Sequence, residues 1–200
     1  MIAIWDRQVN DVVELSEGMK QEHGFVSINC ILLGGGHMYS VGIITASYKG
    51  SRGEWEDLSG KLIETIMKEK GYSVKRNVLL PDEEEALYHE MVYMADELNI
   101  NLVLTTGGTG FSKRDVTPEA TQKAIVRQVP GISEAIRYNS LQITPKAMLS
   151  RGVSGIRGNT LIINLPGSPN AVKECLSFIL EPLFHGLQIL IGDTSECGAS

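Results

Sequence analysis

From residue 41 onward the chain alternates short apolar runs with helical stripes, and few architectures accommodate that order. The runs are Val41-Gly42-Ile43-Ile44-Thr45-Ala46, Val74 to Leu80, Leu102-Val103-Leu104-Thr105-Thr106 and Thr160-Leu161-Ile162-Ile163-Asn164-Leu165. Such short, β-branched, nearly unbroken apolar runs suit strands covered on both faces. Between them lie the helices. Asp57 caps one whose stripe is Leu58, Leu62, Ile63, Ile66 and Met67, closing at Gly71. Behind Pro81, Asp82 and Glu85 make a capping-box pattern ahead of Leu87, Met91, Met94 and Leu98. Thr117-Pro118 starts a helix running to about Arg127, Ile132 to Gln142 resumes helical spacing, and Pro169 opens a final helix, kinked or split at Pro182 and ended by Gly192. Residues 151–159 hold three glycines and read as a small irregular hairpin. The fold class is therefore α/β: three α/β/α layers around a mostly parallel sheet. Ligands of such sheets bind outside the carboxyl ends of the strands.

Composition narrows the chemistry. The net charge is −6, which offers no electrostatic case for a nucleic acid, so any phosphate must be held by local donors. No apolar run reaches the roughly 18 residues of a membrane span, so no membrane partner is expected. Cys30, Cys175 and Cys197 form no CxxC pair, and the four histidines show no metal-ligand spacing. A reducing cytoplasm is the expected location. Residues 39–193 read as one domain and 194–200 as a short tail, while residues 1–38 read as an extension, non-native or disordered, without sustained helical pattern. Within it, Gly34-Gly35-Gly36-His37-Met38 has three readings: a translated ribosome-binding site before the true start, a flexible linker, or a cloning scar.

Three strand ends carry unusual residues. After the third strand come Thr106-Gly107-Gly108-Thr109-Gly110-Phe111-Ser112-Lys113-Arg114-Asp115. Successive glycines let backbone N–H groups converge into an anion nest, with Thr109 and Ser112 adding hydroxyls. Neither a P-loop nor a dinucleotide fingerprint is present. Asp82 and Asp115 both follow strands; two carboxylates beside phosphate donors suit Mg2+ held against nucleotide phosphates. Asp82 as a helix cap, and Asp115 paired with Arg114 to brace its loop, are the structural alternatives. The third end is Asn164-Leu165-Pro166-Gly167-Ser168-Pro169, at a helix N-terminus. Ser150-Arg151 sets a hydroxyl beside a guanidinium, a pair useful for phosphate.

Together these motifs resemble the MoaB/Mog molybdopterin-binding family, whose eukaryotic relatives include the G domain of gephyrin. The resemblance rests on Thr105-Thr106-Gly107-Gly108-Thr109-Gly110 running into Arg114-Asp115-Val116-Thr117-Pro118-Glu119-Ala120. Leu80-Pro81-Asp82-Glu83, Ala147-Met148-Leu149-Ser150-Arg151, Gly155-Ile156-Arg157-Gly158 and the Asn164 to Pro169 tract support it. It implies a homotrimeric molybdopterin adenylyltransferase of molybdenum cofactor biosynthesis. Such an enzyme moves AMP from ATP, with Mg2+, onto the molybdopterin phosphate and hands its product to a molybdate-inserting partner protein. It further implies that Asp82 and Asp115 are catalytic and hold the metal. Thr106, Gly107, Gly108, Thr109, Gly110, Ser112, Ser150, Arg151, Asn164, Pro166, Gly167 and Ser168 are then the substrate-binding set. One departure stands out: Ser47-Tyr48 occupies a place where many members have Ser-Asp. That exchange keeps open a second reading, a non-catalytic molybdopterin-binding trimer.

Overall fold

The computed structural model describes residues 2–6, 11–15 and 39–192. The chain divides into two compact units, residues 1–36 and 37–200. In the first, β1 (Ile2–Asp6) and β2 (Asp11–Leu15) pair antiparallel, Ile2 opposite Leu15, where the sequence had suggested no element. Runs rich in isoleucine and valine on either side of a short polar break suit such a ladder. The glycine tract at 34–38 and the tail from 193 lie outside the described residues.

The second unit runs β3 (Ser40–Ala46), α1 (Tyr48–Ser51), α2 (Leu58–Glu69), β4 (Ser73–Leu80), α3 (Glu84–Val92), β5 (Leu102–Thr106), α4 (Thr117–Ala124), β6 (Arg127–Gln128), α5 (Pro130–Leu141), β7 (Ser154–Arg157), β8 (Thr160–Leu165) and α6 (Pro169–Ile191). The sheet order is β4-β3-β5-β8-β7-β6. Its first four strands are parallel, and the β7–β8 hairpin with β6 adds an antiparallel edge. Strand alternation divides the apolar residues between two cores. Val41, Ile43, Leu102, Leu104, Leu161 and Ile163 pack against Ile63 and Met67 of α2, Ile136 of α5 and the buried stripe of α6. Ile44, Val103 and Ile162 pack on the other face against Leu87 and Met91 of α3 and Ala120 and Ala124 of α4. The expected three layers are present.

Several local expectations are corrected. The Ser47 to Glu56 loop contains α1, capped by the Ser47 hydroxyl on the Gly50 N–H. Leu58, the first residue of α2, stays exposed and outside the stripe. A single π-turn, Tyr93–Glu97, follows α3; Met94 stays buried while Leu98 is turned outward. Helix α4 stops at Ala124 instead of Arg127, because the Val126 and Val129 N–H groups bond the Ile156 and Ser154 carbonyls of the hairpin. Pro182 does not split α6; buried Ile179, Leu183 and Leu187 anchor the helix on both sides of it. By length and composition alone α6 would suit a membrane, its apolarity being spread among charged residues rather than in one run. In the fold, Val172, Cys175, Leu176, Ile179, Leu183 and Leu187 belong to the core.

Candidate active site

The parallel strands β3, β4, β5 and β8 deliver four loops to one edge, and the loop after β5 lies at their centre. Gly107 (φ 92°) and Gly108 (φ 62°) both adopt the left-handed conformation that side chains resist. A Cβ on Gly107 would meet the Ala46 carbonyl oxygen at 2.4 Å, and one on Gly108 the Thr117 hydroxyl at 2.4 Å. The turn therefore lies directly on the end of β3 and the start of α4. Among the described residues, no protein acceptor takes the N–H groups of Gly108, Thr109 or Gly110. Their lack of protein acceptors leaves them available for the anion nest the sequence suggests. Beneath it, the Thr117 hydroxyl is fully buried without a hydrogen-bond partner. Val116 is the N-cap of α4, and Thr117 is its first helical residue.

Two aspartates flank the turn. Asp82 does not cap α3, whose N-cap is Glu83. Its Oδ2 instead accepts the Tyr48 N–H at 2.6 Å, and its Oδ1 lies 3.4 Å from where a Gly108 Cβ would stand. Asp115 Oδ2 accepts the Ser112 N–H at 2.8 Å and lies 2.8 Å from a Cβ built on Gly110. Asp115 thus braces its own loop through that backbone bond, not through Arg114. Arg114 instead stands over the Tyr48 ring, 4.6 Å from its centroid.

On the other side of the turn is a cleft of about 280 Å³. Thr109, Gly110, Thr144, Ser150, Pro166 and Ala171 line it together with Ile136, Arg137, Ser140, Lys146 and Glu174. The residues from α5, Ser140 and Arg137 among them, carry no local motif; packing alone brings them here. Arg137 Nη1 donates to the Gly152 carbonyl at 2.7 Å, fixing the chain beside Ser150.

Three side chains expected to contact substrate already have protein partners. The Arg151 guanidinium is engaged by protein groups. Its Nε donates to the Gly110 carbonyl at 2.7 Å, and its terminal nitrogens bond the Asp115 carbonyl and the Glu119 carboxylate. This bond to Arg151 holds the Glu119 carboxyl below its ordinary range. Asn164 is buried, with its amide donating to the Thr105 and Thr121 hydroxyls and its oxygen accepting the Val153 N–H. Thr106, also buried, donates to the Pro166 carbonyl at 2.7 Å. A polar group on a strand interior finds partners in the layer it faces, so these side chains tie the loops together from behind. Gly167 serves similarly: its carbonyl accepts the Ser59 hydroxyl at 2.8 Å, and a Cβ there would meet the Gly107 α-carbon at 3.3 Å. Ser168 caps α6 through the Ala171 N–H at 3.3 Å. Thr109, Gly110, Ser150 and Pro166 share the cleft, while Ser112 stays exposed on the aspartate side.

Unpaired N–H groups at the carboxyl edge of an α/β sheet, with carboxylates on one side and a mostly apolar cleft on the other, are an arrangement suited to a ligand that carries phosphate. The chain belongs to the family described as probable molybdopterin binding domain, whose model matches residues 42–186. It is 39% identical over 157 residues to a molybdopterin adenylyltransferase of Helicobacter pylori, covering 76% of this chain and 88% of that one. Gephyrin of Dictyostelium discoideum is 42% identical over 160 residues, 75% of this chain but 22% of the longer protein. Among solved structures, the molybdopterin biosynthesis enzyme MoaB of Thermus thermophilus superposes with a TM-score of 0.74 at 44% identity, covering 78% of this chain and 98% of that one.

Proposed function

We propose that this chain is a molybdopterin adenylyltransferase, transferring AMP from Mg-ATP to the terminal phosphate of molybdopterin in molybdenum cofactor biosynthesis. The observation carrying this reading is the glycine turn with a different binding wall on each side, in a chain so similar to curated adenylyltransferases. In the reaction, an oxygen of the molybdopterin phosphate attacks the α-phosphorus of ATP. The new O–P bond forms as the bond to the β-phosphate bridging oxygen breaks, and pyrophosphate departs with that electron pair.

The residues divide this work. The cleft beside Ser150, with Lys146 on its wall, takes the pterin and its phosphate. The N–H groups of Gly108, Thr109 and Gly110 lie between the two walls and stabilise charge where both phosphates meet. Arg151 is a positioning residue, fixing that loop through Gly110, Asp115 and Glu119. Most of such catalysis is placement and electrostatics.

Among the described residues no cluster of three or more carboxylate, histidine or cysteine groups could cage a metal. Asp82 and Asp115 each give one oxygen to a backbone N–H, leaving a second for a cation. That sparse oxygen set fits Mg2+ arriving with the nucleotide, which keeps phosphate and water ligands. When bound, Mg2+ neutralises charge on the polyphosphate.

The assembly we propose is a homotrimer acting in the cytoplasm, residues 39–193 forming its working unit and delivering the product to a molybdate-inserting protein. An apolar groove of about 410 Å³ between α5 and α6, lined by Val129, Ile132, Phe178, Leu183 and Leu190, supports burial against another copy. Light scattering should give a trimer, and a monomer at micromolar concentration contradicts it. Tyr48 favours the one competing reading, a binding trimer without catalysis. Incubation with molybdopterin and Mg-ATP separates the two: release of pyrophosphate establishes the enzyme, and retention of molybdopterin without pyrophosphate establishes the binder.

A further inference from the structure

Of the residues lining the cleft beside Ser150, Glu174 alone carries a carboxylate. It stands on α6 one turn beyond Ala171, which lines the same cleft, about 4.5 Å further along the helix. The side chain is partly buried, and among the described residues it has no hydrogen bond or ion pair. The other charged residues of the wall do not neutralise it: Arg137 donates to the Gly152 carbonyl, and Lys146 is exposed. A carboxylate set against aliphatic carbon offers only acceptors, and a ligand with N–H donors compensates its lost hydration. The same charge repels phosphate, so the phosphate of a substrate is left to the N–H groups of the turn and to Lys146.

We propose that Glu174 is the specificity-determining residue for the ring of the substrate, its two carboxylate oxygens accepting the N3–H and the 2-amino N–H of the pterin. Those donors lie side by side on one edge of the 2-amino-4-oxopyrimidine ring, as the paired donors of a guanidinium do. A carboxylate meets such an edge with two parallel, charge-assisted hydrogen bonds. A ring with oxygen in place of the 2-amino group turns an acceptor toward the same oxygens and is rejected. The inference rests on the reading of the cleft as the molybdopterin site and names the group that selects the ring.

The test is fluorescence titration of the full chain, without nucleotide, with 6-hydroxymethylpterin phosphate and with its lumazine counterpart, in which oxygen replaces the 2-amino group. The parent should bind the pterin about 10-fold or more tighter than the lumazine, as for a hydrogen bond to a charged acceptor. Glu174→Gln should weaken the pterin about 10-fold and bring the two ligands within about 3-fold of each other, since its amide can donate to the 2-oxo group. Glu174→Ala should lose the preference as well. Both variants should unfold at the midpoint of the parent, because no protein partner of the carboxylate is lost. A purely structural role would weaken both ligands equally and leave their ratio unchanged. That result, or a parent that binds the two ligands equally or binds neither, overturns the proposal. The titration needs no turnover, so a parent that prefers the pterin yet releases no pyrophosphate with molybdopterin and Mg-ATP defeats the adenylyltransferase reading alone.

Discussion

The two sides of the glycine turn are built from different materials. On the Asp82 side the groups are charged and partly open: two carboxylates, an exposed Arg114 and the Tyr48 ring. On the Ser150 side the groups line a concave, mostly apolar pocket whose charged residues are Arg137, Lys146 and Glu174. The first wall suits a hydrated, metal-bearing polyphosphate, and the second suits a flat polar ring with a single phosphate. A turn with free N–H groups between them is where two phosphates can be brought into line. In the proposed reading the nucleotide takes the first side and molybdopterin the second.

The largest expected effect breaks that comparison on one side only. Asp82→Asn and Asp115→Asn should each lower the adenylylation rate about 100- to 1,000-fold, as for loss of one contact that stabilises transition-state charge. Molybdopterin affinity should remain within about two-fold, because neither residue lines the cleft. Both variants should fold, since asparagine still offers an oxygen to the Tyr48 or Ser112 N–H. Equal loss of molybdopterin binding would erase the distinction between the walls.

Arg151→Ala should instead damage both walls, because its guanidinium supports the loop they share. Losing these charged hydrogen bonds should cost about 2–3 kcal/mol of stability in denaturant unfolding. Binding of ATP and of molybdopterin should weaken together. Ser150→Ala sharpens the contrast from the opposite side: molybdopterin affinity should fall about 5- to 10-fold, as for one hydrogen bond, with KM for ATP unchanged.

How far the sequence revealed this arrangement depends on the physics of each residue. Apolar runs identify β3, β5 and β8 because burial on two faces demands that composition. The glycines of the central turn are equally visible, since a left-handed backbone and close contact with Ala46 leave little alternative. Asp82 shows the limit. Followed three residues later by Glu85, it looks like a cap, yet its bond reaches 34 positions back to Tyr48. Asn164 and Arg151 show a second limit. Their side chains are chemically suited to a substrate, and only tertiary packing shows that Thr105, Thr121, Gly110 and Glu119 already hold them. Ser140 and Arg137 entered the cleft with no local signal at all.

A smaller effect is set by pH. The Glu119 carboxyl, bonded to Arg151, has a folded-state pKa lowered from 4.5. Its stabilising contribution is therefore complete above the ordinary value and disappears as pH falls through the lowered one. The parent should be more stable than Glu119→Gln near pH 6, and the two should converge in acid unfolding measurements below 4.5. The smallest effect expected is from deleting Met1 to His37: the unit from residue 37 onward has its own two cores, so adenylylation should stay within about two-fold.

The most direct test of the account is pyrophosphate release on mixing the protein with molybdopterin and Mg-ATP. Release that requires both substrates, equals the AMP transferred and is lost in Asp82→Asn is the expected result. Molybdopterin held tightly while ATP stays intact would contradict it and leave a binding protein with an unused nucleotide wall.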